Sequence, residues 1–291
     1  MSALKKVLTI IAITALFDIL IGQNIVCCSN VYSQELKIKH EGQLGSKGTA
    51  EGQFKSPHSL TVDRFGNIYV GDTGNKRIQK FSANGTFLLS WGSAGSGNGQ
   101  FTGLHDVAVD PTGEFVYSLE TNNHRVQKFD SNGNFITKWG FNGTGGRDAQ
   151  RSPHQLAINP GGIVYLTDRN GNQILKFNDN GTFIGTIGSK GDKPGQFEGP
   201  HGIAIDPNDD NIYLTDMKNS RVQVLDSNAA FVRQWGSLGN STGEFSITAP
   251  GIAVDSANRV YVIDKINAKV QMFDTAGNYL ASWGSAGKGS D

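Results

Sequence analysis

SPHSLTVDRFGNIYVGDTGNKRIQKF, residues 56–81, is answered by GLHDVAVDPTGEFVYSLETNNHRVQKF at 103–129. It returns as SPHQLAINPGGIVYLTDRNGNQILKF at 152–177 and GPHGIAIDPNDDNIYLTDMKNSRVQVL at 199–225. Each copy has a histidine in third place. A fifth copy continues as GIAVD from Gly251, with Pro250 in the histidine register. Trp91, Trp139, Trp235 and Trp283 are each followed by glycine and are spaced by 48, 96 and 48 residues. Ile187-Gly188 fills the gap, so a beat of 48 residues runs through the chain. Self-similarity at this period marks a repeat architecture.

Each unit resolves into four short strands. The first follows the histidine (SLTVD, DVAVD, QLAIN, GIAID, GIAVD), and the second ends in an acid (NIYVGD, FVYSLE, IVYLTD, NIYLTD, RVYVID). The third is RIQKF, RVQKF, QILKF, RVQVL or KVQMF, and the fourth is TFLLSWG, NFITKWG, TFIGTIG, AFVRQWG or NYLASWG. These runs are rich in Val, Ile and aromatic residues, as strands are. The turns between third and fourth strands read ANG, SNG, DNG, SNA or AGN, and Asn-Gly favours the positive dihedrals of a tight hairpin. A four-stranded antiparallel sheet recurring at this length is the signature of a propeller blade. One such sheet has two apolar faces, and stacking blades around an axis buries both. The tryptophans are placed to pack between blades.

The count of blades is uneven. Five complete units begin near Gly52, Gly99, Gln150, Gly195 and Gly243. Before them, ELKIKHEGQLG places Leu44-Gly45 47 residues ahead of Trp91-Gly92, where a further fourth strand would end. The expectation is an all-β propeller on a six-blade plan, with five complete blades and an amino-terminal outer strand. The 38 glycines and 18% charged residues suit short strands and tight turns.

Residues 1–33 read as a secretory signal: two lysines, an apolar run from Val7 to Ile21, then a polar segment ending VYS. Asp18 interrupts the run. An uncleaved signal-anchor is the alternative, because Val7 to Val26 has about the ~20 residues that a membrane span needs. Both cysteines, Cys27 and Cys28, lie in this segment, so a chain cut after Ser33 has no thiol. The propeller then occupies residues 34–291. Lys plus Arg and Asp plus Glu number 26 each, which argues against a nucleic-acid partner.

TNNHRVQKFD from Thr121, together with PHGIAID and NIYLTD, resembles the NHL repeat. The resemblance extends over residues 52–291 and implies a β-propeller, usually of six blades. It also implies a binding scaffold whose ligand at the loop face is a protein, peptide or glycan, here exported from the cytoplasm. The loops NGTGGRDAQ from Asn142 and GDKPGQFEG from Gly191 vary while the strands hold, and loops on a rigid frame are where recognition resides.

His58, His105, His154 and His201 share one register and should gather near one mouth of the central channel. Imidazole is a good zinc ligand. SPHSL and SPHQL resemble the zinc-binding histidine motifs of the peptidyl-hydroxyglycine amidating lyases, and TDRNGNQ resembles the segment that holds their catalytic arginine. That resemblance implies a zinc-dependent lyase, with metal at His58, His105, His154 and His201 and a catalytic role for Arg169. The catalytic tyrosine and second arginine of those lyases have no counterpart here. The other reading is that each histidine braces a loop to the next blade through its ring nitrogens.

Asp72, Glu120, Asp168, Asp216 and Asp264 form a second column. They are expected to accept hydrogen bonds from the turn that follows, rather than to hold cations. Arg77, Arg125, Arg221 and Lys269 form a third, placed on the solvated face with carboxylate neighbours. Asn84, Asn142, Asn180 and Asn240 open Asn-x-Thr sequons. The sequence contains no Walker loop or zinc-finger spacing.

Overall fold

A computed structural model describes residues 43–141, 152–246 and 250–285. The signal segment, most of the proposed amino-terminal outer strand, and the loop from Asn142 lie outside the described residues. Among those described there is no α-helix, and no helix is long and apolar enough to cross a membrane.

Five four-stranded sheets follow one another along the chain, each meandering antiparallel in sequence order. Blade 1 comprises Ser59–Val62, Ile68–Asp72, Arg77–Phe81 and Phe87–Trp91. Blade 2 comprises Leu104–Val109, Phe115–Glu120, Arg125–Asp130 and Phe135–Gly140. Blade 3 comprises Pro153–Ile158, Val164–Asp168, Gln173–Phe177 and Phe183–Ile187. Blade 4 comprises Pro200–Ile205, Ile212–Asp216, Arg221–Leu225 and Phe231–Trp235. Blade 5 comprises Gly251–Val254, Arg259–Asp264, Lys269–Asp274 and Tyr279–Trp283. First strands of successive blades touch from blade 1 through to blade 5, so they line the hub and the fourth strands form the rim. The five complete blades match the sequence expectation. Of the sixth, the described trace is Leu44-Gly45.

The core is divided into slabs between blades, as two-faced sheets require. Tyr69, Ile78, Phe101, Leu104, Val107, Val116 and Phe129 fill the seam between blades 1 and 2. Comparable clusters fill the next three seams. Two further clusters line the face of blade 1 away from blade 2 and the face of blade 5 away from blade 4. Burying a side chain such as Phe129, fully enclosed here, is worth roughly 1.5–3 kcal/mol.

The tryptophan column closes each seam at the rim by resting on a bare turn of the next blade. Gly133, Gly181 and Gly277 have φ of 82°, 90° and 89°. A Cβ on them would lie 2.7 Å from Trp91, 2.5 Å from Trp139 and 2.8 Å from Trp235. The exception proves the contact: where the indole is replaced by Ile187, the facing turn carries Ala229 at φ 69°. Leu44 plays the same part against Gly85, at 3.3 Å from a hypothetical Cβ. Leu44 therefore sits where the last residue of a preceding outer strand belongs.

Gly181→Ala should thus destabilise the fold by about 1–3 kcal/mol through overpacking and backbone strain. Trp139→Ile in the same chain should recover part of that loss, because the Ile187–Ala229 pair already shows the smaller combination to be compatible. A urea-denaturation double-mutant cycle reads the coupling; strictly additive losses would contradict the packing described.

Candidate functional site

First strands begin, and second strands end, at the same end of every blade: Pro153 pairs with Asp168, and Pro200 with Asp216. The histidines, the acidic column and the turns after it therefore share one face of the molecule.

The four histidines do come together. Ring centroids are 4.2 Å apart for His58 and His105, 4.9 Å for His105 and His154, and 4.3 Å for His154 and His201. Three are fixed by the neighbouring blade. His58 Nδ1 lies 2.8 Å from the His105 carbonyl, His105 Nδ1 2.8 Å from the His154 carbonyl, and His201 Nδ1 2.8 Å from the Pro250 carbonyl. A carbonyl only accepts, so Nδ1 carries the proton and Nε2 keeps its lone pair in the neutral ring. His154 differs: its Nε2 lies 3.2 Å from Ser152 Oγ, and its buried Nδ1 has no hydrogen-bond partner. The register brings about this file of imidazoles, because each histidine occupies the same step of an inner strand.

Burial, then repulsion from neighbouring cations and rings, keeps His105, His154 and His201 neutral. Desolvation and the adjoining His58 push His105 down to about 4. Desolvation followed by His201, His105 and Arg169 pushes His154 to about 3, and burial with Arg169, His58 and Lys265 holds His201 at about 4. Asp106, next to His105, is pushed up to about 7 by burial, although its Oδ2 accepts from the Leu156 amide of blade 3 at 2.8 Å. Gln155 makes the corresponding bridge to the Ile203 amide of blade 4 at 3.0 Å.

Arg169 is exposed and reaches this face from the turn after the second strand of blade 3. Its amide donates to the Ser152 carbonyl at 3.2 Å, two residues before His154. The tautomer of the anchored histidines is the one a zinc ligand adopts, with Nδ1–H held by a carbonyl and Nε2 free. Among the described residues, however, no three His, Cys, Asp or Glu side chains are arranged to hold a metal ion.

The acidic column is buried and works as anticipated, but as one part of a larger clamp. Asp72 Oδ1 accepts from the Lys55 amide at 2.7 Å; Oδ2 accepts from Asn75 at 2.8 Å, Arg77 at 2.9 Å and Gln79 at 3.1 Å. Glu120 accepts from Thr102, Asn123, Arg125 and Gln127, and Asp216 from Glu198, Asn219, Arg221 and Gln223. The donors reach onward to the loop that enters the blade. Arg125 donates to the carbonyls of Ser96, Gly97 and Gln100, and Arg221 to those of Asp192, Lys193 and Gln196. Gln79, Gln127, Gln223 and Gln271 each take one loop amide and one loop carbonyl. Asp264 keeps the plan through Ser246 and Asn267, and Lys269 grips Asn240 and Ser241.

This corrects the placement of the basic column on the solvated face. Arg125 and Arg221 are 7% exposed, because one enclosed carboxylate and a tight loop with inward carbonyls satisfy their guanidinium donors, with Gln234 adding an acceptor to Arg221. The asparagine and glutamine columns, missed in the sequence, were visible as strict recurrences at Asn75, Asn123, Asn219 and Asn267 and at the glutamines two residues beyond the basic column. Burial raises the Asp216 pKa despite Asn219, the Glu198 amide and Arg221, so the clamp holds its charge at a cost. His124 is an exposed turn residue at φ 48°. The Asn84 and Asn180 side chains each cap their own hairpin by accepting from Thr86 and Thr182.

Five sheets about a hub, with inner strands in mutual contact, define a β-propeller. A family model described as a 6-bladed beta-propeller matches residues 151–235, and the NHL repeat model matches 54–81. The chain is a propeller, and the part of it at residues 54–81 is matched by the NHL repeat. It is 39% identical over 75 residues to NHL repeat-containing protein 3 of Homo sapiens, covering 25% of this chain and 20% of that protein. It is 32% identical over 91 residues to Protein brain tumor of Drosophila melanogaster, covering 30% and 9%. The match thus spans a fifth or less of these relatives' length. Virginiamycin B lyase from Staphylococcus aureus shares the fold, with a TM-score of 0.55 at 15% identity over 80% of this chain and 71% of that one.

Two tests follow from the site. Removing one partner of the buried pair in Arg125→Met should destabilise by about 3–5 kcal/mol, since Glu120 is left charged and enclosed; a loss under about 1 kcal/mol in urea denaturation would refute the clamp. The histidines contribute in the opposite pH sense from a raised acid. Their folded pKa values lie below the unfolded 6.5, so their contribution is present above pH 6.5 and is lost as pH falls towards about 4. Asp106 runs the other way, losing its contribution as pH rises from 3.8 through about 7. His154→Gln should therefore decline less steeply than wild type between pH 6.5 and 4, by about one proton in the linkage slope. Parallel curves would refute it.

Proposed function

We propose that the chain is an exported scaffold that binds a protein, peptide or glycan on its histidine-bearing face. The observation that carries this reading is the contrast within one turn. The acid and the asparagine of the clamp recur at Asp72 and Asn75, Glu120 and Asn123, Asp216 and Asn219, and Asp264 and Asn267. The two residues held between them vary: Thr73-Gly74, Thr121-Asn122, Met217-Lys218 and Lys265-Ile266, with Arg169-Asn170 in blade 3. Asn122, Arg169, Asn170, Lys218, Lys265 and Ile266 are exposed. A rigid frame that presents a different pair on each blade is suited to recognising an irregular partner. The likeness to NHL repeat-containing protein 3 supports the same reading. Export rests on the amino-terminal segment 1–33, and a membrane would be met only through that segment if it is uncut.

A zinc-dependent lyase is the second reading, favoured by the neutral, carbonyl-anchored imidazoles. His58, His105, His154 and His201 would hold the ion, which would supply Lewis-acid polarisation of a substrate oxygen. Arg169 would orient a substrate carboxylate.

Selection from a displayed random-peptide library on the immobilised full chain tests the scaffold. Sequence-specific clones that lose binding when the Thr121-Asn122 and Lys265-Ile266 pairs are replaced by alanines would support it; no enrichment over a blank surface would remove it. Elemental analysis and thermal shift with added zinc test the second reading: bound zinc in wild type, reduced in His154→Ala, is its expected result, and zinc content of zero in both ends it.

A further inference from the structure

Two cations on the histidine face are left without an internal role. Arg169 and Lys265 occupy equivalent positions in blades 3 and 5, each directly after the clamp acid. Both are exposed, and among the described residues neither side chain makes a hydrogen bond or ion pair. This sets them apart from Arg77, Arg125, Arg221 and Lys269, which are spent on the clamp. The Arg169 and Lys265 charges both bear on His201, and no carboxylate figures among the main influences on His154 or His201. Lys218, between them in blade 4, stands 3.5 Å from Glu198 and is partly neutralised. The corresponding turns of blades 1 and 2, Thr73-Gly74 and Thr121-Asn122, carry no charge.

Beside these cations, the two carbonyl-anchored imidazoles of His105 and His201 have a single polarity. With Nδ1–H already given to a carbonyl, His105 and His201 offer only Nε2, an acceptor. A ligand that suits this face must bring both negative charge and N–H donors. Ile266, 62% exposed beside Lys265, adds an apolar contact. Phosphodiester backbones supply charge but no donors at that spacing, and the chain as a whole has no excess of cations to attract them.

We propose that this face receives an acidic peptide segment, its carboxylates seated on Arg169 and Lys265 and its backbone N–H groups donating to the file of imidazoles. The proposal rests on the scaffold reading and specifies the partner's chemistry. Arg169 forms a planar fork for one carboxylate, and Lys265 a point charge for a second.

Fluorescence anisotropy of the purified full chain tests it, with three labelled probes: a glutamate decapeptide, a lysine decapeptide and a single-stranded DNA oligonucleotide. The glutamate probe should bind, the lysine probe should not, and salt should weaken the complex. The double variant Arg169→Gln/Lys265→Gln should bind the glutamate probe at least about tenfold more weakly, as loss of two charge-assisted contacts requires. Its melting temperature should not change, since neither side chain holds the fold together. Arg64→Gln, an exposed control in the turn between the first two strands of blade 1, at the opposite end of the molecule, should match wild type. Equal affinity of wild type and double variant, absence of glutamate binding at low salt, or tighter binding of the oligonucleotide would each overturn the proposal. Library clones that bind irrespective of the double variant would likewise overturn it while leaving the scaffold reading in place.

Discussion

The architecture depends on one buried interaction: a carboxylate at the end of each second strand, enclosed and, in blades 1, 2 and 4, shared among an asparagine, an arginine, a glutamine and the loop arriving from the previous blade. Blades stacked only through apolar faces could slide, since dispersion and hydrophobic burial have little directionality. The clamp adds direction. Glu120 and Arg125 fix the loop of residues 96–100 to blade 2 through its own carbonyls, so the crossover cannot shift without exposing charge to a dry interior. The donors and acceptors are used up locally, which is why five carboxylates can be buried at once.

What the clamp frees is the turn above it. With acid and asparagine holding both sides, the intervening residues differ from blade to blade: Thr73 and Met217 turn inward, while Asn122, Lys218, Lys265 and Ile266 face solvent. The inner histidines occupy the boundary between the two regimes. His58, His105 and His201 are structural in that Nδ1 ties one blade to the next, and chemically open in that Nε2 remains an acceptor. The low basicity of His105, His154 and His201 follows first from desolvation and then from nearby positive charge, since the neighbouring rings stand within 5 Å.

Much of this was legible in the residues. The 48-residue beat gave the blades, the alternation gave the strands, and the shared register of His58, His105, His154 and His201 gave their convergence. The Asn-Gly turns foretold hairpins, although not that their glycines would be seats for the indoles. Arg125 was misplaced on the solvated face because a charge in an alternating strand ordinarily points to water. Its true position depends on carbonyls some 25 residues away in sequence, a tertiary fact that no local pattern carries. The same holds for Gln127, whose partner Gly99 lies 28 residues back.

Blade 3 departs from the common plan. Gly171, Gln173 and Leu175 stand where asparagine, arginine and glutamine stand in blades 1, 2 and 4, and Leu175 joins Trp139, Phe141 and Phe177 in the oily slab against blade 2. The acid of that blade, Asp168, accepts from the Ser152 and Gly171 amides and from Gln173. Across the same joint Lys128 reaches Asp179 at 3.0 Å, a carboxylate half open to solvent. Added salt therefore bears on this junction through its water-facing acid.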